Sequence, residues 1–417
     1  MNYDICVLGL GYIGLPTASI FATNGKKVLG VDVVSAVVET INAGRIHIEE
    51  PDLDVLVCTA VQSGNLRAGS RPEPAATYII AVPTPFHQDS ARLKSPDLSF
   101  VEQATRSLAP VVPFGALVIL ESTSPVGTTA KVRDWLAAEL CRVRPDEASA
   151  LENSLRFAHC PERILPGKML KELVANDRIA GGLTPDAAQA AKSLYQAFCT
   201  GEIFLTDART AEMAKLTENS FRDVNIAFAN ELSLICEQLK IDVWELIRLA
   251  NRHPRVKILQ PGPGVGGHCI AVDPWFIVDA APGLARLIRT AREVNDSKPE
   301  YVIASIMQAA AKFPRPVIAC LGLAFKADVD DLRESPAVDI VGQLALEGVG
   351  EVLAVEPHIK ALPVALAEQG KVTLTDATTA LARANVVVLL VSHRAFDDID
   401  RRKLEGKTVI DTRGFWR

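Results

Sequence analysis

Asp4-Ile5-Cys6-Val7-Leu8-Gly9-Leu10-Gly11-Tyr12-Ile13-Gly14 stands near the start of the 417-residue chain, an apolar branched run that breaks into three glycines spaced GxGxxG. The run predicts a buried strand, the glycines a tight turn, and residues 15–24 a helix. Residues 27–31 predict a second buried strand ending in Asp32, eighteen positions past Gly14. A βαβ unit that holds a dinucleotide has this arrangement. Its glycines let the backbone approach a pyrophosphate, the helix start offers N–H groups and partial positive charge, and the terminal carboxylate takes the ribose hydroxyls. Asp32 would repel a 2′-phosphate, and Val33-Val34-Ser35 supplies no arginine, so the expected cofactor is NAD.

Working outward, short apolar runs at 78–82, 117–120 and 157–159 alternate with helical stretches and predict a parallel, doubly wound sheet. Thr84 and Thr123 follow two of these strands, where open α/β sheets bind ligands, and are expected to touch the cofactor. Residues 210–240 contain no Gly or Pro and carry apolar residues at Met213, Leu216, Phe221, Val224, Phe228, Leu232 and Ile235. They predict one helix of roughly 45 Å, long enough to join two lobes and leave a face for a second subunit. A helix at 243–251 then leads to Pro261-Gly262-Pro263-Gly264-Val265-Gly266-Gly267-His268-Cys269, a glycine-rich loop whose backbone could approach a ligand. After Pro314 and Pro316 the alternation restarts: a strand at 317–321, a turn at Gly322, a helix near 338–346, a strand at 352–355 closing on Glu356, and another at 386–391. This second turn lacks the three glycines, so Lys326 and Arg333 are expected to meet phosphate there instead. The expected fold is α/β, with two doubly wound Rossmann-like domains at 1–205 and 314–417 joined by a long central helix and a helical middle domain at 206–300.

Composition narrows the function. The chain is 48% hydrophobic and 23% charged with net charge −6, so it lacks the basic field that a nucleic-acid backbone or an anionic membrane would need. Its longest aliphatic run, 386–391, falls far below the roughly 18 residues of a membrane span. No basic leader precedes the first strand, and a cytoplasmic protein is expected. The eight cysteines show neither CxxC pairs nor zinc spacing, so no metal site is expected.

Among those cysteines Cys269 ends a glycine-rich loop, whereas the others fall in apolar strands or helices. It reads equally as a nucleophile or as a small residue in a crowded turn, because thiol reactivity depends on exposure. Lys215 and Asn219 lie four apart on one face of the long helix, with Arg222 a turn further on. In a cleft they could stabilise an oxyanion or move protons; on a surface they are an ordinary solvated stripe. Glu162, in Cys160-Pro161-Glu162-Arg163, and Asp273 sit on turn-like segments where a carboxylate could orient water.

Taken together, these residues resemble the NAD-dependent nucleotide-sugar 6-dehydrogenases, whose members act on UDP-glucose and GDP-mannose. The likeness runs through 9–17, 46–54, 81–86, 120–128, 160–167, 210–236, 243–278 and 322–337. The resemblance implies a four-electron oxidation of a sugar C6 alcohol to a carboxylate with two NAD in turn. It places the nucleophile on Cys269, the acid/base or oxyanion partner on Lys215 with Asn219 beside it, and water handling on Glu162 and Asp273. It implies cofactor contacts from Tyr12, Ile13, Asp32, Thr84, Thr123 and Arg333. The implied substrate contacts are Arg163, Ile164, Lys215, Asn219, Arg222, His253, Arg255, Gly266 and Lys326, with His253 and Arg255 offered across a homodimer. The UDP-glucose branch carries Lys just before its Asp, where this chain has Val272. The stretches 219–230 and 251–256 are instead similar to the branch acting on UDP-N-acetylmannosamine, whose uronate product enters bacterial surface polysaccharide such as enterobacterial common antigen or capsule. A sibling dehydrogenase, an epimerase and a silent nucleotide-sugar sensor are the competing expectations.

Overall fold

The computed structural model describes residues 3–48, 50–87, 94–164, 167–267 and 269–417. The chain divides into two compact units, residues 1–218 and 219–417. In the first, β1 (Tyr3–Leu8), β2 (Val28–Val31), β3 (Leu66–Gly69), β4 (Ala75–Ile80), β5 (Leu117–Leu120), β6 (Arg156–His159), β7 (Arg178–Gly182) and β8 (Ile203–Asp207) form one sheet in the order β3-β2-β1-β4-β5-β6-β7-β8. Ile5 and Val7 enter the core on one face, Cys6 and Leu8 the core on the other, and all four are buried. Helices cover both faces, which explains why the strand reads as an unbroken apolar run.

The expected strands pair in parallel, and one further pairing departs from that direction. Strands β6 and β7 are antiparallel, with Ala158 opposite Gly182 and His159 opposite Gly181, while the other pairings are parallel. Between β6 and β7 lies the short helix Met169–Ala175, whose Leu173 enters the first core, and the Gly167 and Met169 N–H groups both donate to the Glu50 carboxylate at 2.9 Å. Arg178, at the head of β7, therefore returns beside Glu162, just past the end of β6.

The second unit holds β9 (Val317–Leu321), β10 (Glu351–Val355), β11 (Val372–Leu374), β12 (Val386–Leu389) and β13 (Thr408–Asp411), all parallel, in the order β11-β10-β9-β12-β13. Strand β12 stops at Leu389 rather than 391, because the Leu390 and Val391 N–H groups both turn to the Leu321 carbonyl, at 2.9 and 3.2 Å. The long helix spans Ala208–Leu239, 32 residues. A second one, Arg286–Ala310, continues through Pro299. Among the described residues no helix is long and apolar enough to cross a membrane.

Candidate active site

The first glycine turn has the shape of a dinucleotide cradle, and its three glycines are needed for different reasons. Gly9 has φ +89°, and a Cβ there would stand 2.6 Å from the Ala81 carbonyl oxygen. A Cβ on Gly14 would stand 1.8 Å from the Gly9 carbonyl oxygen. Around Gly11, which is exposed, no described atom lies within 4 Å of such a Cβ, so the fold itself does not require a glycine there. A ligand brought against the backbone there would. The helix that follows, Gly14–Thr23, has no side-chain cap and no acid in its first turn, so nothing offsets its positive end; the Leu15 and Thr17 N–H groups go to the Gly11 and Ile13 carbonyls, each at 3.1 Å. Tyr12 and Ile13 are half-buried in the turn. Asp32 is fixed by the Leu10 N–H on Oδ2 at 3.0 Å and the Val34 N–H on Oδ1 at 2.9 Å, with lone pairs left for hydroxyl donors. The Thr84 hydroxyl donates to the Thr123 carbonyl at 2.7 Å, joining the ends of β4 and β5 at the same edge of the sheet.

The long helix presents a buried polar stripe: Glu212, Lys215, Asn219, Asp223 and Asn230 are all at most 9% exposed. Arg222 does not share it. Three residues past Asn219 it has rotated into solvent, and Asp223 takes the buried position instead. Glu212, which the sequence reading passed over, accepts from the Thr129 N–H at 2.7 Å and the Thr129 hydroxyl at 2.6 Å, and so caps the helix Thr128–Val143. Near Lys215 lies His159, fully buried at the end of β6; burial, helped by the Lys215 charge, lowers its pKa to about 3 and keeps the ring neutral.

Glu162 and Asp273, expected on turn-like segments, are both buried. Arg178 donates to Glu162 Oε2 at 2.7 Å and the Arg163 N–H to Oε1 at 2.8 Å. Arg163 itself reaches the Asp177 carbonyl at 3.0 Å and Glu218 at 2.9 Å, while Ile164 packs on the first core. Behind them Glu121 is pushed up to about 8 by burial and by the Glu162 charge.

In the second unit Asn219 donates to Asp273 Oδ2 at 2.6 Å. Asp273 opens the helix Asp273–Ala280, and its N–H, like that of Val272, donates to the Cys269 carbonyl, at 2.9 and 3.1 Å. Cys269 therefore heads the turn that leads into that helix. It is exposed, whereas burial pushes the Cys6 and Cys320 thiols up to about 12 and the Cys160 thiol higher still. The neighbouring His268 lies outside the described residues. Packing by itself requires glycine at two positions before Cys269. A Cβ on Gly266 would lie 2.3 Å from the Glu334 carbonyl oxygen, and one on Gly267 3.0 Å from the Phe325 ring. The cysteine loop is thereby pressed against the segment that carries Lys326 and Arg333. Lys326 is half-buried, and the Arg333 guanidinium forks onto Asp331 at 2.8 and 2.6 Å. Its start is tied down as well: the Gly262 N–H donates to Asn230 Oδ1 at 2.8 Å, and Asn230 donates to Asn295 at 2.9 Å. His253 and Arg255 are exposed, with the Arg255 N–H on His253 Nδ1 at 3.3 Å.

The second glycine turn differs from the first. Glu356 Oε2 accepts the Leu323 and Ala324 N–H groups at 2.7 and 3.0 Å, and the next helix, Pro336–Glu347, starts well beyond the turn. Asp328, His358 and His393 place ligand-type atoms within 4.8 Å of one another. Both His393 nitrogens are already used: Nδ1 accepts the Asp328 N–H at 3.0 Å, so Nε2 carries the proton toward Glu356 at 3.0 Å. Burial alone would raise the Glu356 carboxyl, but His393 and the two backbone donors hold it below its ordinary range.

Three domains of the UDP-glucose/GDP-mannose dehydrogenase family match in order: the NAD binding domain over residues 3–199, the central domain over 209–297 and the UDP binding domain over 319–417. NDP-N-acetyl-D-galactosaminuronic acid dehydrogenase from Ralstonia nicotianae is 61% identical over 416 residues, covering 99% of this chain and 96% of that protein. UDP-N-acetyl-D-mannosamine dehydrogenase from Escherichia coli K12 is 55% identical over 425 residues, covering 99% of each. Among solved structures, the UDP-D-ManNAc dehydrogenase of Pyrococcus horikoshii superimposes with a TM-score of 0.89 at 39% identity, over 99% of this chain and 96% of that one. Matched from end to end, with a glycine turn fitted to a dinucleotide, the chain belongs to the UDP-glucose/GDP-mannose dehydrogenase family and is an NAD-binding nucleotide-sugar dehydrogenase.

Proposed function

We propose that the protein oxidises the C6 alcohol of UDP-N-acetyl-D-mannosamine to the carboxylate, taking up one water, reducing two NAD and releasing three protons. NAD, when bound, supplies the hydride acceptor for both oxidations. Lys215 takes the alcohol proton or steadies the oxyanion as the aldehyde forms. The Cys269 thiol adds to that aldehyde, giving a thiohemiacetal whose oxygen can drive out the second hydride; the resulting thioester is cleaved by water, which returns the thiol. Glu162 and Asp273 orient and deprotonate that water, and Asn219 holds Asp273. Arg163, Lys326 and, from a second subunit, His253 and Arg255 meet the substrate, whose diphosphate suits Arg forks and Lys point charges. Ile164, Arg222 and Gly266 line the sugar nucleotide, while Tyr12, Ile13, Thr84, Thr123 and Arg333 serve the cofactor. Residues 1–205 would bind NAD, 206–300 would carry Lys215, Asn219 and Cys269, and 314–417 would hold the UDP moiety.

The observation that carries this reading is Cys269, an exposed thiol at the head of a turn whose fourth residue on, Asp273, is buried and held by Asn219. Phe221, Phe228 and Ile235, seven residues apart, and Leu239 are 44–68% exposed along the long helix and support a homodimer. We place the enzyme in the cytoplasm, making a uronate for surface polysaccharide. The Ralstonia relative favours one second reading, a UDP-N-acetylgalactosamine substrate.

The test is NADH formation against a panel of UDP-N-acetylmannosamine, UDP-N-acetylgalactosamine, UDP-N-acetylglucosamine, UDP-glucose and GDP-mannose, with NADH counted per uronate. Two NADH per uronate, fastest with UDP-N-acetylmannosamine, is expected. An inert UDP-N-acetylmannosamine beside a turning-over rival overturns the substrate, and binding without any NADH points to a silent sensor or an epimerase.

A further inference from the structure

Both oxygens of Glu162 are held, by Arg178 at 2.7 Å and by the Arg163 N–H at 2.8 Å, and the two ion-paired side chains are each 5% exposed. Arg178 reaches this place only because β7 runs antiparallel to β6. Its guanidinium carbon lies 4.7 Å from the centre of the Tyr195 ring and 5.3 Å from that of Phe198, and Nη2 also donates to the Leu173 carbonyl at 3.2 Å. Tyr195 in turn donates to Glu121 Oε1 at 2.9 Å, and Thr17, on the cofactor helix, reaches Glu121 Oε2 at 3.2 Å. Arg178 Nε and Nη1 are buried without a hydrogen-bond partner among the described residues.

Stability does not account for this arrangement. A buried ion pair with two idle donor nitrogens is matched or bettered by apolar side chains of the same volume. Orientation does account for it: with one lone pair on each oxygen already taken, Glu162 can accept a water only along the directions that remain.

We propose that Arg178 is the positioning residue of Glu162, braced through Tyr195, Glu121 and Thr17 against the cofactor helix, and that it governs the attack of water on the thioester rather than hydride transfer. This rests on the thioester route proposed above. In the affected step water adds to the thioester carbonyl, the C–S bond breaks, the sulfur leaves as the Cys269 thiolate and the water's protons pass to Glu162 and solvent.

The experiment uses the full chain with NAD and whichever sugar nucleotide turns over, comparing Arg178→Gln, Arg178→Lys, Glu162→Gln and the Glu162→Gln/Arg178→Gln double variant. Arg178→Gln is expected to lower kcat about 10–100-fold with both KM values within about 3-fold, and to give a rapid burst approaching two NADH per subunit, with acyl-enzyme trapped on acid quench. Arg178→Lys should recover part of the loss. The double variant should be no more than about 2-fold slower than Glu162→Gln alone, because both act through one carboxylate. Tyr195→Phe, which keeps the stacked ring, should give a smaller loss with the same burst if Arg178→Gln does not fold. Wild-type turnover in Arg178→Gln, a loss without a burst, or losses that multiply in the double variant would each overturn the proposal. A burst in Glu162→Gln but not in Arg178→Gln removes only the role of Arg178; no acyl-enzyme in either removes the thioester route.

Discussion

Asn219 donates to Asp273 at 2.6 Å between two buried side chains, one on the long helix and the other at the head of the helix that follows Cys269. The bond fixes the direction of Asp273 and hence the turn that presents the thiol. Asn219→Ala should lower kcat by roughly 10²-fold and leave Asp273 short of a donor, costing about 1–3 kcal/mol. Steady-state kinetics and thermal unfolding check both; a full loss of activity with unchanged Tm would separate Asn219 from the support of Asp273.

Cys269→Ser should abolish acid formation while holding the affinity for the sugar nucleotide within about 3-fold, since a hydroxyl is a far weaker nucleophile than a thiolate. Calorimetry and uronate analysis read the two effects, and undiminished turnover would remove the covalent step.

The glycines of the first turn should respond oppositely. Gly14→Ala forces a Cβ into the Gly9 carbonyl and should unfold or strongly destabilise the first unit. Gly11→Ala meets no described atom and should keep its Tm within about 2 °C while weakening NAD binding tenfold or more. A differential scan and an NAD titration decide it.

Two buried groups give stability an opposite pH dependence at each end. His159 has a folded pKa near 3, so between the ordinary value of 6.5 and that point the unfolded chain binds the extra proton and stability falls as pH falls. Glu121 has a folded pKa near 8, so above its ordinary 4.5 the folded chain keeps a proton that the unfolded one releases, and stability falls as pH rises toward 8. His159→Leu should flatten the acid side and Glu121→Gln the alkaline side in denaturant titrations across pH 4–9; unchanged slopes would contradict the burial of each.

Phe221, Phe228 and Ile235 repeat every seven residues on one exposed stripe. Phe221→Asp/Phe228→Asp should yield monomer by sedimentation with the far-ultraviolet spectrum retained, and should lose sugar-nucleotide turnover if His253 and Arg255 serve the partner's site.

Much of the first unit was legible because a parallel strand covered on both faces can only be apolar, as Ile5, Cys6, Val7 and Leu8 are. The reversal at β7 was not: Arg178 and two glycines give no strand signal, and direction depends on how Glu50 holds the preceding turn. The helix Arg286–Ala310 was hidden by Pro299. For the site, Lys215 and Asn219 stood out by spacing, but burial separates Arg222 from them, and Glu212, His159 and Arg178 came to notice only through the partners or the burial that folding gives them. The recoverable signal was polar residues at 212, 215, 219 and 223, three or four apart on a helix whose opposite face is greasy.

Glu356 takes the N–H of Ala324, which stands where the first turn has Gly11, as well as that of Leu323, the counterpart of the bond Asp32 makes to Leu10. On the proposed route the first cradle serves both oxidations, so two equivalents of oxidant would visit it in succession. Spent coenzyme would then depart while the half-oxidised sugar waits, and the proposed bond to sulfur would stop that sugar escaping during the swap. Trapping with an aldehyde reagent would then recover little free aldehyde even when fresh NAD is scarce.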